Sequence, residues 1–353
     1  MTGPVVGIIA NPVSARDIRR IVAHAGSMQA TDRANIVLRI LAGLAAAGIG
    51  QVVMMPEHAG IRAHVQRAMV RADNLGEARF PALAILDMPV TGTARDSATA
   101  ARMMREQGVA AIVVLGGDGT HRVVVGACGA IPIAGVSTGT NNAFPESREP
   151  TVTGLAVGLA ATGVVPARRA FMANKRLDVT INGRTEIALV DVAVVAEQFV
   201  GSRAIWKADG FRELFVTFGE PHGIGMSAIA GLLAPVGRAE PHGRHIVFER
   251  PETAPFRLAA PIAPGLVAPI GIERVAQLAL DTPTALTVPA GAIALDGERE
   301  IVFGGGDEVA VTLRGAAFLT VDIEACMAHA AASGRFLDAA GKRSFPNMQL
   351  GGC

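Results

Sequence analysis

The chain has no tyrosine and a single tryptophan, Trp206, and aromatic residues make up 4% of its 353 residues. Without aromatic platforms for bases to stack on, binding of single-stranded nucleic acid is not expected. Net charge is also lacking: 32 Lys and Arg against 31 Asp and Glu leave +1, too little to draw the chain to nucleic acid or to an anionic membrane surface. Three cysteines, Cys128, Cys326 and Cys353, are an odd number without C-x-x-C spacing. That argues against a disulfide framework or a zinc site and suits a reducing cytoplasm. Long unbroken apolar runs are missing as well, since 223–237 and 258–272 are short or interrupted by Gly and Pro; no membrane span is expected. The first residues carry no basic leader, so no signal peptide is expected either.

What is present is a chain long enough for two domains, half of it apolar. Residues 5–10 form a short apolar run that stops at Asn11-Pro12, as a buried parallel strand would. Ser14 to Asp17 fits a capping box. Helical spacing over 31–47, a strand at 51–55, a helix over 59–73, a strand at 82–86, a second capping box within 91–96 and a helix to 107 follow. A strand at 109–115, a short helix at 121–128, a strand at 131–136 and a helix at 152–161 complete the alternation. Strict alternation of this kind predicts a mostly parallel sheet with helices on both faces, a doubly wound α/β domain over 1–163. Beyond it the pattern changes to strands at 176–181, 186–195, 214–217, 245–248, 285–288, 293–295, 300–303, 309–313 and 318–321, with hairpin signals at Asn182-Gly183 and Asp296-Gly297. This predicts a mostly antiparallel β domain over 164–322, with Pro-rich connections over 251–269, followed by a C-terminal helix and tail over 323–353.

Functional candidates cluster at strand ends. The run 113–120 reads as a buried strand entering Gly116-Gly117-Asp118-Gly119-Thr120, where a helix start leaves N–H groups for a phosphate or another anion. Asp118 beside a phosphate would bind a magnesium ion, hydrogen-bond a substrate hydroxyl or take its proton; alternatively it caps the following helix. Asn11 ends the first strand. Loops holding Thr91 and Thr93, and Thr138, Thr140, Asn141 and Asn142, end two others, so four loops converge on one phosphate-sized site. No G-x-G-x-x-G follows the first strand, which counts against a dinucleotide-dependent oxidoreductase.

Taken in order, Asn11-Pro12, Gly116 to Thr120, Thr138-Gly139-Thr140-Asn141-Asn142 and Asp296-Gly297-Glu298 resemble the superfamily of NAD kinases, diacylglycerol kinases and sphingosine kinases. The opening Gly-Ile-Ile-Ala-Asn-Pro and the Gly-Gly-Asp-Gly-Thr-His-Arg run are most similar to its ATP-NAD kinase branch, which includes acetoin catabolism protein X. The resemblance implies an N-terminal α/β domain, a C-terminal β-sandwich and an active cleft between them. It implies ATP as donor with Mg2+, phosphates around Gly116, Gly117, Gly119 and Thr120, and Asp118 directed at the acceptor hydroxyl or the metal. Asn11, Thr91 or Thr93, Thr138 and Thr140 would help hold nucleotide, and Asn141 and Asn142 fall where related NAD kinases carry an Asn-acid pair for the dinucleotide. Asp296, as a metal ligand, and Glu298, as a second catalytic acid, would come from the second domain, as in the lipid-kinase branch; on its own the hairpin tip also reads as two solvent-exposed acids. The acceptor implied is NAD or a small hydroxyketone or diol, in a homo-oligomer. Departures are Ala15 where lipid kinases carry glycine and the missing acid at Asn141-Asn142. A non-catalytic nucleotide or metabolite sensor on the same fold is the competing reading.

Elsewhere, His222, His242 and His245 with Glu220 and Glu240 match no zinc spacing and read as surface-loop residues. Arg168, Arg169, Lys175 and Arg176 read as a solvated strand end.

Overall fold

The computed structural model describes residues 3–12, 28–76, 80–139, 142–196 and 210–337. The capping box at Ser14 to Asp17 and the tail beyond 337 lie outside them, as do Trp206, Thr140 and Asn141. The first half alternates as its periodicity predicts: β1 (Val5–Ala10), α1 (Ala30–Ala46), β2 (Gln51–Met54), α2 (Ile61–Leu75), β3 (Ala82–Ile85), α3 (Ala94–Glu106), β4 (Ala111–Gly116), α4 (Asp118–Cys128), β5 (Ile133–Ser137) and α5 (Pro150–Ala161). The five strands are parallel in the order β3-β2-β1-β4-β5. The winding reverses between β1 and β4, and ligands of open α/β sheets bind at the carboxyl ends of strands beside such a reversal. α1 and α5 cover one face, over a core of Val6, Ile8, Ile40, Leu44, Val113, Leu115 and Val157. α3 and α4 cover the other, over Ile9, Ile112, Val114, Met104 and Val124.

The second half supplies a short α6 (Ala167–Ala170), then β6 (Phe171–Ile181), β7 (Arg184–Ala188), β8 (Asp191–Val195), β9 (Phe211–Val216), α7 (Ser227–Leu233), β10 (His242–Glu249), β11 (Phe256–Ala263), β12 (Leu266–Ala279), β13 (Thr284–Ala285), β14 (Gly291–Leu295), β15 (Glu298–Phe303), β16 (Val309–Val321) and α8 (Ile323–Ala332). An antiparallel seven-stranded sheet runs β11-β12-β10-β9-β8-β14-β15, so the α/β class with a parallel first part and an antiparallel second part stands as expected. One feature of the topology was not foreseen. β16 pairs with β5, and β6 and β7 follow it, so the first sheet grows to nine strands and continues past residue 163. The two sheets share a core in which Leu177, Val179, Val311 and Leu313 of the first meet Val192, Val194, Phe215, Ile293 and Leu295 of the second.

Two sequence expectations are corrected here. Residues 186–195, expected as one strand, split into β7 and β8 in different sheets, with a break at Leu189-Val190. The Pro-rich stretch 251–269, expected as connections, forms most of the β11–β12 hairpin. Proline is tolerated there because β11 is an edge strand and Pro269 lies beyond the last β12 residue paired with β10, Gly271. Both Asn-Gly and Asp-Gly hairpins form as predicted: Asn182, Gly183, Asp296 and Gly297 have φ of 46°, 78°, 50° and 81°, the positive pair that a type I′ turn needs.

Candidate active site

β4 is buried along its length and ends at Gly116. Gly117 is the cap residue of α4 in extended conformation, offers no side-chain cap, and the helix starts at Asp118 rather than at 121. The first amides of such a helix lack intrahelical partners and sit at the positive end of its dipole, which suits an anion. Side-chain space decides the glycines. A Cβ on Gly116 would stand 2.5 Å from Thr120 Cβ, and one on Gly117 2.8 Å from Asn142 Oδ1. Gly119 differs, because a Cβ there would meet Glu298 Oε1 at 3.6 Å, an ordinary contact.

Asp118 reaches across to the loop after β5. Its Oδ2 accepts from Ala143 N at 3.0 Å and its Oδ1 from Phe144 N at 2.9 Å, which ties the turn after β4 to the loop after β5. A carboxylate offers roughly four acceptor positions, more than these two amides occupy. Neighbouring strand ends close around this turn. Asn11 Nδ2 donates to Thr120 Oγ1 at 2.9 Å, Asn11 N donates to Leu115 O, and Thr138 N donates to Gly116 O. Thr120 and Thr138 are buried. Asn142 Nδ2 donates to Ser137 Oγ at 2.9 Å, which holds that side chain across Gly117 and Gly139. Thr91 and Thr93 end the loop after β3, where their hydroxyls are 2.8 Å apart. Thr93 caps α3, while Asp96 accepts from the Thr91 hydroxyl at 2.7 Å and from the Thr91 and Gly92 amides. Burial opposes the Asp96 charge, but those bonds hold its pKa below the usual aspartate value.

From the second sheet, the β14–β15 turn brings Glu298 against Gly119. Its neighbour Asp296, expected as a metal ligand, turns its carboxylate to backbone amides. Asp296 is buried, and its oxygens accept from the amides of Leu189 at 3.0 Å, Val190 at 2.8 Å and Asp191 at 3.3 Å, the donors exposed where β7 breaks from β8. Arg122, which follows the glycine turn on α4, places Nε 3.7 Å from Asp296 Oδ2. Burial raises the Asp296 pKa, against the pull of Arg122 and the amides. The carboxylate thus replaces ladder partners for a broken strand, and its approach to Arg122 sets the hairpin tip beside α4.

Arg238, which no motif marks, and His121, which follows the glycine turn, also stand at the site. Arg238 Nη2 donates to Ala143 O at 2.8 Å and Phe144 O at 3.2 Å, and its guanidinium lies 4.0 Å from the Phe218 ring centre. His121 is fully buried, its Nδ1 is 2.8 Å from Gly117 O, and burial lowers its pKa to about 4. Of the residues read as surface groups, Lys175 is buried with its Nζ on the carbonyls of Gly237 and His242 at 3.0 and 2.6 Å, and burial lowers its pKa to about 8. His245 lies in β10, stacked on Phe215 and 2.8 Å from Glu213. Among the described residues no cluster of three metal-binding side chains occurs. A cavity of about 510 Å³ lined by Leu286, Val288, Phe303 and Val309 lies at the far end of β15 from Glu298.

A family model described as the ATP-NAD kinase N-terminal domain matches residues 6–163, and one described as the acetoin catabolism protein X C-terminal domain matches residues 175–316. The α/β part is thus similar to the N-terminal domain of ATP-NAD kinases and the following part to the C-terminal domain of acetoin catabolism protein X. Acetoin catabolism protein X of Cupriavidus necator is 53% identical over 332 residues, which cover 93% of this chain and 92% of that protein. The chain belongs to the acetoin catabolism protein X family. Solved structures that align with it include yeast NADH kinase complexed with NADH, with 13% identity, TM-score 0.49 and coverage of 98% of this chain and 91% of that one. Another is a putative diacylglycerol kinase from Bacillus anthracis str. Sterne, with 12% identity, TM-score 0.48 and coverage of 90% and 97%. No helix among the described residues is long and apolar enough to cross a membrane.

Proposed function

We propose that this chain transfers the γ-phosphoryl group of ATP to a hydroxyl of NAD or a related small molecule. The observation that carries the reading is the joining, at one helix N-terminus, of the glycine turn, Asp118 and a second acid, Glu298, against the open side of Gly119. Phosphoryl transfer asks a protein to position the two reactants and to neutralise charge. In this reading the amides at the start of α4 receive phosphate, with Asn11, Thr91, Thr93, Thr120, Thr138, Thr140, Asn141 and Asn142 around the nucleotide. Asp118 accepts the hydrogen bond of the acceptor hydroxyl and takes its proton as the new P–O bond forms and the bond to the β-phosphate breaks. Two amide donors on Asp118 fix the direction of its carboxylate, which lets it orient the acceptor hydroxyl.

Magnesium typically binds through one or two carboxylates and the substrate phosphates, without a protein cage. Glu298, which stands beside Gly119 at the helix start, would supply such a carboxylate, and the ion would offset phosphate charge. A second reading of the acceptor, a small hydroxyketone or diol, is favoured by Asn142, whose amide nitrogen already bonds Ser137. Incubating the chain with MgATP and NAD, diols, hydroxyketones or lipids, and following ADP release and new phosphate-ester resonances, tests both. Turnover with one acceptor class supports the kinase; none with any class favours a sensor.

A further inference from the structure

We infer that Arg238 is a positioning residue that sets the Asp118 carboxylate through a single peptide group, an inference that rests on Asp118 serving the transfer proposed above. The Ala143–Phe144 peptide has its N–H on Asp118 Oδ1 at 2.9 Å and its C=O on Arg238 Nη2 at 2.8 Å. Its dipole therefore runs from cation to anion. A charged donor on the carbonyl polarises the peptide and makes its N–H a stronger donor to the carboxylate. The two flanking peptides each add one half of the pattern, the preceding one through Ala143 N on Asp118 Oδ2 and the following one through Phe144 O on Arg238 Nη2.

Arg238 is itself fixed. Its guanidinium lies 4.0 Å from the Phe218 ring and 5.4 Å from the Phe144 ring, and the charges of Glu146, Glu220, Asp118 and Arg148 act on it. The loop that carries it is braced by Lys175 Nζ on the carbonyls of Gly237 and His242, and by Glu240, which accepts from Gly237 N at 2.8 Å. Asp118 comes from the parallel part of the first sheet and Arg238 from the loop leading into β10 of the second. The setting of the carboxylate thus depends on how the two sheets are packed, although no motif marks the arginine.

Two measurements on the full chain test this. Hydrogen exchange of peptides covering 142–146 reads the Asp118-bound amides without reference to activity. Steady-state turnover of MgATP with the accepted alcohol reads the consequence. Arg238→Met is expected to speed exchange over 142–146 by about 10- to 100-fold, the effect of losing a charged hydrogen bond, with exchange in β4 unchanged. It is expected to lower kcat by a similar factor, with KM for ATP within about twofold because the nucleotide contacts stay in place. Arg238→Lys, which keeps the charge and one donor, is expected to restore part of both. Unchanged exchange over 142–146 in both variants overturns the inference, as does a rise confined to KM for ATP. If Arg238→Met fails to fold, exchange in Arg238→Lys decides alone. If the wild-type chain turns over no acceptor, the kinase reading fails on its own, and with it the catalytic purpose, while faster exchange in the variants still supports the coupling of Arg238 to Asp118.

Discussion

Replacing Asp296 separates its structural role from the metal role that sequence assigned to it. Asparagine keeps one acceptor oxygen, which can take over the Oδ1 bonds to Leu189, Val190 and Asp191. Its NH2 group would then face the Arg122 guanidinium in place of the opposing carboxylate. Because burial already raises the Asp296 pKa, loss of the charge recovers part of a desolvation penalty, and the net cost of Asp296→Asn is expected to be about 1–3 kcal/mol. Alanine removes every acceptor and strands buried amides of the β7–β8 break at about 1–3 kcal/mol each, so Asp296→Ala should cost more, roughly 3–5 kcal/mol. Urea denaturation followed by circular dichroism reads the difference as a lower midpoint at constant slope. The folded fraction of Asp296→Asn should keep the wild-type Mg2+ dependence of turnover. Wild-type stability of both variants together with a raised Mg2+ requirement would refute this reasoning and return Asp296 to the metal.

Three further outcomes follow from the same geometry. His121 has a folded pKa of about 4 against 6.5 in water, so between those values the unfolded chain binds a proton that the folded one refuses. Its contribution, at most about 3 kcal/mol, is complete above pH 6.5 and is lost as the pH falls toward 4; His121→Gln should flatten the stability-versus-pH curve in that window, as measured by urea midpoints. Gly116→Ala, whose Cβ would meet Thr120 at 2.5 Å, should destabilise by about 1–3 kcal/mol, whereas Gly119→Ala should leave the denaturation midpoint unchanged or slightly higher and raise KM for ATP. Glu298→Gln should leave the midpoint unchanged and raise the Mg2+ concentration needed for half-maximal turnover.

The parallel half of the fold was legible because its inner strands are buried on both faces and its helices carry a 3.6-residue apolar period. Its strand and helix limits shifted by only a residue or two, except that α4 takes in Asp118. What failed was governed by distant partners. Prolines hid the β11–β12 hairpin, since edge position cannot be read from composition. The stretch 186–195 looked continuous because 187–195 is almost wholly apolar, and nothing local says that the chain changes sheets at Leu189-Val190. At the site, the glycine turn announced itself by residue type and by its place after an apolar run. The hairpin tip announced two acids but not their directions: Gly297 separates one carboxylate turned into backbone amides from one set against Gly119. Arg238 and Lys175 were invisible because their partners are main-chain carbonyls more than fifty residues away, at Ala143 and at Gly237.

Asp118 is where the account is most exposed to test. Asp118→Asn keeps the size of the side chain but sets an NH2 group against an amide donor of Ala143 or Phe144 and removes the acceptor for the substrate proton. With the acceptor class identified by the ADP-release panel, the variant is predicted to stay folded and to lose roughly 10²- to 10⁴-fold in kcat, the contribution of a positioned general base. Turnover by folded Asp118→Asn equal to that of the wild-type chain would contradict the central claim.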